Sequence, residues 1–313
     1  MQAIEAHALR KIYPGGVQAV KGVDFVVSPG EVFGLLGPNG AGKSTTVGML
    51  TTAVVPTSGV ARVAGYDVAR QPLQARAVSS VVFQEPVVDA GLSGRANLEL
   101  HARLWGSDPS RSANRIDELI RSLDLRPLVD RQVRSYSGGQ RRRLEIARAL
   151  VSEPRVLFMD EPTVGLDPRI RRELLEMIAS LRSREEVTIL ITTHYLEEAE
   201  RLCDRVAIVH EGTVVALDRP AALLSALGHE ILEFRVHGNA EAALAGLRAR
   251  GLAGDDAFAV GARVTVPLHE RGASEAMAAL EDERVRTSEL ASRAPTLDDV
   301  YLRLTGAQLE SAA

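Results

Sequence analysis

The sequence holds a single cysteine, Cys203, so no disulfide can form within the chain. That fits a reducing compartment. Lysine is nearly absent: Lys11, Lys21 and Lys43 are three among 37 basic residues, and arginine supplies the rest. No apolar run reaches the roughly 18 residues that cross a bilayer. Work at a membrane would need spans from another chain. The N-terminus, MQAIEAHALRKIY, has no apolar centre of the signal-peptide kind. The net charge of −4 gives no global basic field, so nucleic acid is not an expected partner.

What is present is ordinary globular material: 313 residues, 45% of them hydrophobic, enough for two domains. Residues 1–35 alternate short apolar runs with Gly and Pro turns, and a helix is expected from Lys43 to about Leu50. From about 89 to 150 the character is helical. RVLFMD, after Pro154, is the near-continuous apolar run of a strand buried on both faces. Helix and strand patterns then alternate to about 220, the rhythm of a parallel α/β sheet. Around Pro220 to Gly228 the pattern resets. The order β-α-β-β-α-β follows, with a hairpin at Gly261-Ala262, which is the ferredoxin-like pattern. Its second helix is expected in ASEAMAALEDE. A last helix, TLDDVYLRLTG, has Thr296 as its N-cap, and the terminal ESAA is expected to fray.

GPNGAGKST, residues 37–45, fits G-x-x-x-x-G-K-[ST] in the context that motif requires, after an apolar strand and opening a helix. Gly37, Pro38, Asn39, Gly40, Ala41 and Gly42 can turn backbone N–H groups toward phosphate oxygens, helped by the positive end of the helix. Lys43 can reach the β- and γ-phosphates as a compact charge, and Ser44, followed by Thr45, can ligate Mg²⁺. In a chain that uses arginine almost everywhere, a lysine here is itself informative. In VLFMDEPTVGLDP, Asp160 ends a buried strand and suits Mg²⁺, directly or through water. Glu161 beside it suits the base that polarises an attacking water.

A second glycine-rich helix start, RSYSGGQRRRLEIARAL, follows at residues 134–150. Ser137, Gly138 and Gly139 could hold another anion. The basic first turn, Arg141 to Arg143, opposes the helix dipole and suggests something anionic nearby. Read alone, it is more simply a helix start with a solvated basic face.

GPNGAGKST, YSGGQ and FMDEPTVGLDP, in this order and at these intervals, resemble the nucleotide-binding subunit of an ABC transporter over residues 1 to about 220. LSGRANLEL and PTLDDVYLRLTG narrow the resemblance to the daunorubicin-resistance type of bacterial exporter ATPase. The resemblance implies a P-loop NTPase core with a mixed sheet and an inserted helical subdomain at about 89–150. A ferredoxin-like α+β accessory domain at 221–313 would follow the ATP-binding domain at 1–220. It implies ATP and Mg²⁺ as ligands. Tyr13 resembles the aromatic that stacks on adenine, or else is a strand-end core tyrosine. Gln84 resembles the Q-loop glutamine near Mg²⁺, or else is a surface glutamine. His194 resembles the switch histidine at the γ-phosphate. Asp167 resembles the aspartate of the loop that crosses the dimer interface. Ser137, Gly138, Gly139 and Gln140 would act in trans on ATP held by a second copy. The expected assembly is a homodimer on a separate permease, at the cytoplasmic face of the membrane, driving export of a drug, antibiotic or lipid-like substrate. An importer ATPase and a soluble ABC ATPase are the alternatives. The accessory domain is expected to support the dimer or to regulate it. Three departures stand out: Tyr136 replaces the usual Leu, Val164 replaces a small residue, and LSGR at 92–95 only mimics the start of the signature and reads as a turn before a helix.

Overall fold

The computed structural model describes residues 1–268 and 287–307, apart from the side chains of 183–185. The chain divides into two compact units, Met1–Leu217 and Asp218–Ala313.

The first unit is built on a six-stranded sheet. Its strands are β3 (Val32–Leu36), β6 (Ser79–Val82), β7 (Val156–Asp160), β8 (Thr188–Thr193), β9 (Arg205–His210) and β10 (Thr213–Asp218), in the order β10-β9-β3-β8-β7-β6. The pairs from β9 through β3, β8 and β7 to β6 are parallel. Every residue of β3 and β8 is buried, as expected where both faces of a parallel sheet are covered. Register sets the strand ends level. Leu36 pairs with Thr193, and Asp160 pairs with Thr192. The loops after β3, β6, β7 and β8 therefore leave from one edge of the sheet, where open α/β sheets bind ligands.

A second, antiparallel sheet of β1 (Ile4–Ile12), β2 (Gln18–Val27), β4 (Ser58–Val63) and β5 (Tyr66–Asp67) runs in the order β2-β1-β4-β5. It shares a core with the first sheet, in which Phe25 stacks on Phe33 at 5.2 Å. The core also takes in Val47, Met49 and Leu50 of α1 (Lys43–Leu50). Within ARVAGYDV a turn in which Ala64 has φ 48° and Gly65 φ 88° separates β4 from β5. A short helix, α2 (Pro72–Ala77), was not expected between β5 and β6.

The helical stretch holds α3 (Gly94–Leu104), α4 (Pro109–Ser122), a 3-10 turn at Val133–Ser135 and α5 (Gly138–Leu150). Ser93 caps α3 through the Ala96 N–H, so LSGR is the turn before a helix. Asp108 caps α4 ahead of Pro109. The helices α6 (Pro168–Glu185) and α7 (Leu196–Leu202) alternate with the last strands of the large sheet.

The second unit opens with α8 (Pro220–Ser225), where the sequence had suggested only a reset. Pro at N1 is preorganised for such a helix. Then come β11 (Glu230–Val236), α9 (Ala240–Ala249), β12 (Phe258–Val260), β13 (Arg263–Leu268) and β14 (Thr287–Arg293). The sheet order is β12-β13-β11-β14, antiparallel throughout. That is the ferredoxin-like order. Gly261 and Ala262 turn the β12–β13 hairpin, with Val260 paired to Arg263. Leu244 and Leu247 of α9 pack with Leu232, Phe234, Val264 and Val266 of the sheet. Each such fully buried side chain contributes about 1.5–3 kcal/mol. The expected helix ASEAMAALEDE and the terminal ESAA lie outside the described residues. The final helix, α10 (Leu297–Thr305), packs near α8, with Arg303 donating to Ala226 O at 3.3 Å.

Candidate functional site

The loop after β3 coils into α1 through three glycines with positive φ, Gly37, Gly40 and Gly42. Two of these positions are closed to side chains by close approach as well. A Cβ on Gly37 would lie 2.2 Å from Val209 O, and one on Gly42 would lie 2.4 Å from Ala19 O. Ala41 N–H donates to Pro38 O, and Thr46 donates to Gly42 O through both its amide and its hydroxyl. Lys43 opens the helix and is 4% exposed. Its ammonium donates to Gly37 O at 2.8 Å and to Pro38 O at 3.1 Å, and lies 3.2 Å from Glu161 Oε1. Three donors thus meet three acceptors, the condition for holding an ammonium away from water.

The end of β7 supplies the carboxylates. Asp160 Oδ1 accepts from Thr192 Oγ1 at 2.5 Å and from Ser44 Oγ at 3.3 Å. Glu161 is buried, and its backbone sits in the left-handed region at φ 45°. A non-glycine residue there costs about 1–3 kcal/mol, strain that concentrates at functional sites. Its N–H is held by Thr192, through Oγ1 at 2.9 Å and through the carbonyl at 3.2 Å. One threonine on β8 therefore fixes both acids.

His194 follows directly on β8. Its Nδ1 lies 3.4 Å from Glu161 Oε1, and neither ring nitrogen has a hydrogen-bond partner among the described residues. The ring stands against Tyr195 at 4.1 Å, and the Arg171 guanidinium covers the far partner, 4.0 Å from the Tyr195 ring centre. A largely enclosed imidazole held by its neighbours, with neither nitrogen hydrogen-bonded, has capacity to meet something not part of the chain. Loop, lysine, acids and histidine fit a nucleotide triphosphate. Ser44 and Asp160, side by side, offer the oxygen pair Mg²⁺ takes from a protein when phosphates supply the rest. No cluster of three or more His, Cys, Asp or Glu able to hold a metal alone occurs among the described residues.

Two expected participants stand apart. Gln84 is exposed in the loop after β6, and its side-chain amide is not joined to Ser44 or Asp160. Tyr13, just past β1, is half-buried, with the Lys11 ammonium 5.1 Å above its ring.

Ser137 and Gln140 form a capping box at the start of α5. Gly138 is exposed. Gly139 is buried where α5 meets α6, and a Cβ there would come within 2.4 Å of Ile170. Asp167 caps α6 ahead of Pro168, its Oδ1 accepting from Ile170 N–H at 3.1 Å. No hydrogen bond or ion pair among the described residues joins Ser137–Gln140 to the Gly37–Thr45 loop. The basic run is not a solvated face. Arg142 is buried and donates to Phe83 O at 2.5 Å and Gln84 O at 3.0 Å, while Arg143 pairs with Glu173 at 3.1 Å. Carbonyls and a carboxylate thus partner Arg142 and Arg143 in this first turn. Tyr136 is buried, and its hydroxyl donates to Leu128 O at 2.6 Å. Burial pushes that phenol above its ordinary pKa. Val164 is half-buried and donates its N–H to Glu161 O at 3.3 Å. Arg142 and, further along α5, Glu145 were missed in the sequence. Flanked by Arg141 and Arg143, Arg142 carried no local mark of burial.

A family model described as ABC transporter matches residues 20–164. The chain is 42% identical to a daunorubicin resistance ATP-binding protein of Streptomyces coeruleorubidus, across 99% of this chain and 97% of that one. It is 43% identical to a Nod factor export ATP-binding protein of Paraburkholderia xenovorans, across 74% of this chain and 76% of that one. Among solved structures it is similar to cbiO1 of Clostridium perfringens, part of an ABC transporter complex. There the TM-score is 0.67 at 26% identity, covering 80% of this chain and 95% of that one. No helix among the described residues is long and apolar enough to cross a membrane. The phosphate loop with its buried lysine, the paired acids and the matched relatives agree: the chain belongs to the ABC transporter family, as an ATP-binding and ATP-hydrolysing subunit.

Proposed function

We propose that this subunit powers the export of a drug, antibiotic or lipid-like compound through a separate membrane permease, working as a homodimer at the cytoplasmic face. Names of the relatives support the direction: one is a resistance protein and another an export protein. ATP lies on the Gly37–Thr45 loop, with Lys43 on its phosphates and Tyr13 against its base. Glu161 polarises the attacking water, and His194 meets the γ-phosphate. Ser44 and Asp160, with Gln84 within the same loop cluster, would hold Mg²⁺, which would supply neutralising charge for the phosphates. Residues 221–313 form an accessory domain.

The observation that carries the dimer is the exposed start of α5. Ser137 and Gly138 present a helix N-terminus, a ready phosphate site, and yet nothing in their own chain's site touches it. A head-to-tail pair would lay each such terminus, with Gln140 and the Asp167 loop, on the other chain's ATP. A two-fold axis satisfies both halves at once. Mixing two inactive variants, Lys43→Ala and Ser137→Arg, tests this. In a mixed dimer one site pairs the intact loop of one chain with the intact α5 of the other. Equal mixing restores about a quarter of wild-type ATPase, since half the dimers are mixed and each has one good site. A mixture as inactive as its parts overturns the in-trans reading.

A further inference from the structure

Three charged residues spaced one helical turn apart on α5 hold the loop that carries Gln84. Arg142 donates to Phe83 O and Gln84 O, at the loop's start. Glu145, 1% exposed, accepts through Oε1 from Val87 N–H at 2.7 Å and Val88 N–H at 2.8 Å, at the loop's end. Arg148 pairs with Glu145 Oε2 at 3.2 Å and donates to Val81 O at 3.1 Å, near the end of β6. Beyond the clamp, Asn97 of α3 ties down Asp89, accepting from its N–H at 2.8 Å and donating to its carbonyl at 3.0 Å. Only Glu85 and Pro86 lie between the two clamped ends.

These are side-chain bonds to main-chain groups, so they fix the path of residues 81–88 whatever the side chains there are. The Gln84 carbonyl is fixed while its side chain stays exposed and free to reach. Charge-assisted bonds in a buried setting are about twice as strong as neutral ones. Arg142 and Glu145 are themselves buried, so losing the loop's groups would leave each without partners. Arg142 lies one turn, about 6 Å of helix rise, from Gly138. The Asp160 carboxylate also acts on Arg142 electrostatically, while burial lowers that guanidinium's pKa.

We infer that Arg142 and Glu145 are positioning residues for ATP hydrolysis: they make the Ser137–Gly139 helix start and the Gln84 loop one rigid piece. Placement of α5 against a partner's ATP then sets where Gln84 stands in its own chain's site. A lever of this kind needs no contact between Arg142 and nucleotide. It rests on the reading of Gln84 and of α5 given above.

The test is a double-mutant cycle on the full chain, with kcat, KM and fluorescent ATP-analogue binding measured for each variant. Arg142→Met lowers kcat by about 10- to 100-fold, the scale of a small displacement of a catalytic group. Analogue affinity stays within about threefold, since the Lys43 cradle is untouched. Glu145→Ala behaves in the same way, and Glu145→Gln, which keeps the accepting oxygen, recovers most of the lost rate. Combined with Gln84→Ala, Arg142→Met adds little further loss, because both act through one side chain. If Gln84→Ala slows turnover but the two losses multiply, or if affinity and kcat fall together, the clamp only supports folding and the inference is wrong. Should Gln84→Ala turn over normally, the reading of Gln84 itself fails and the lever with it.

Discussion

Each unit of the chain buries a cluster of opposite charges, and the two clusters differ in one respect. In the second unit Arg293 donates to both oxygens of Asp299 at 2.7 Å and to Glu233 Oε2 at 2.7 Å. Asp299, 3% exposed, also accepts from the amide and hydroxyl of Thr296. These partners raise the pKa of Arg293, and the guanidinium with the Thr296 bonds holds the Asp299 carboxyl below the usual range against the cost of its burial. Everything there is paired. In the first unit Lys43 and Glu161 are paired, but neither nitrogen of the adjoining His194 makes a hydrogen bond among the described residues. A closed cluster fastens β14 to α10. An open one has capacity left for a ligand. Burial of charge therefore does not mark a site by itself; unspent hydrogen-bonding capacity beside it does.

Substitutions can separate the two. Glu161→Gln keeps the shape and removes the base, and kcat falls by about 10²–10⁴ while ATP binding survives. Near-normal turnover by that variant would take the role from Glu161. His194→Ala lowers kcat by about 10²-fold with the melting temperature within a degree or two, because its nitrogens make no hydrogen bond in the free protein. A large drop in stability would instead make it a packing residue. Arg293→Met has the reverse profile. It costs about 2 kcal/mol of stability, discounted for a partly exposed guanidinium, by leaving buried Asp299 without its cation. ATPase at low temperature is unchanged, and denaturant melts beside steady-state rates check both.

His101 on α3 gives the smallest effect. It is buried, stacked on Trp105 at 4.6 Å and close to Arg148, and burial with that arginine lowers its pKa to about 4. The unfolded chain takes up this proton near pH 6.5, so folding loses stability as pH falls toward 4. Between pH 7 and 5.5 the loss is about 1 kcal/mol. In His101→Gln the pH slope of unfolding should flatten over that window; an unaltered slope means the ring is protonated in the fold.

The phosphate loop and the acids were legible because each is a short run at the end of an apolar strand, whereas His194 was reached only through the family resemblance. Local pattern and strand register were enough to bring them together. The ferredoxin-like order was legible from alternation and one hairpin. Arg142 was not, because it stands in a run of three arginines, of which it alone is buried. Its partners lie 58 and 59 residues away, at backbone groups that leave no mark in sequence. Asp167 was read for an interface, although its proline successor already spelled a helix cap. Helices α2 and α8, six residues each, were too short for periodicity to register.

Tyr136 stood out in the sequence as a departure from its family's pattern, without a physical account. Its hydroxyl fills the space in front of Gly94, where a Cβ would lie 2.5 Å away. Positions 94 and 136 thus share one volume. A lineage can enlarge one only by keeping the other small, so a bulkier residue at 94 should be admissible only after Tyr136 has shrunk. The order of those two steps is a historical constraint written into the packing.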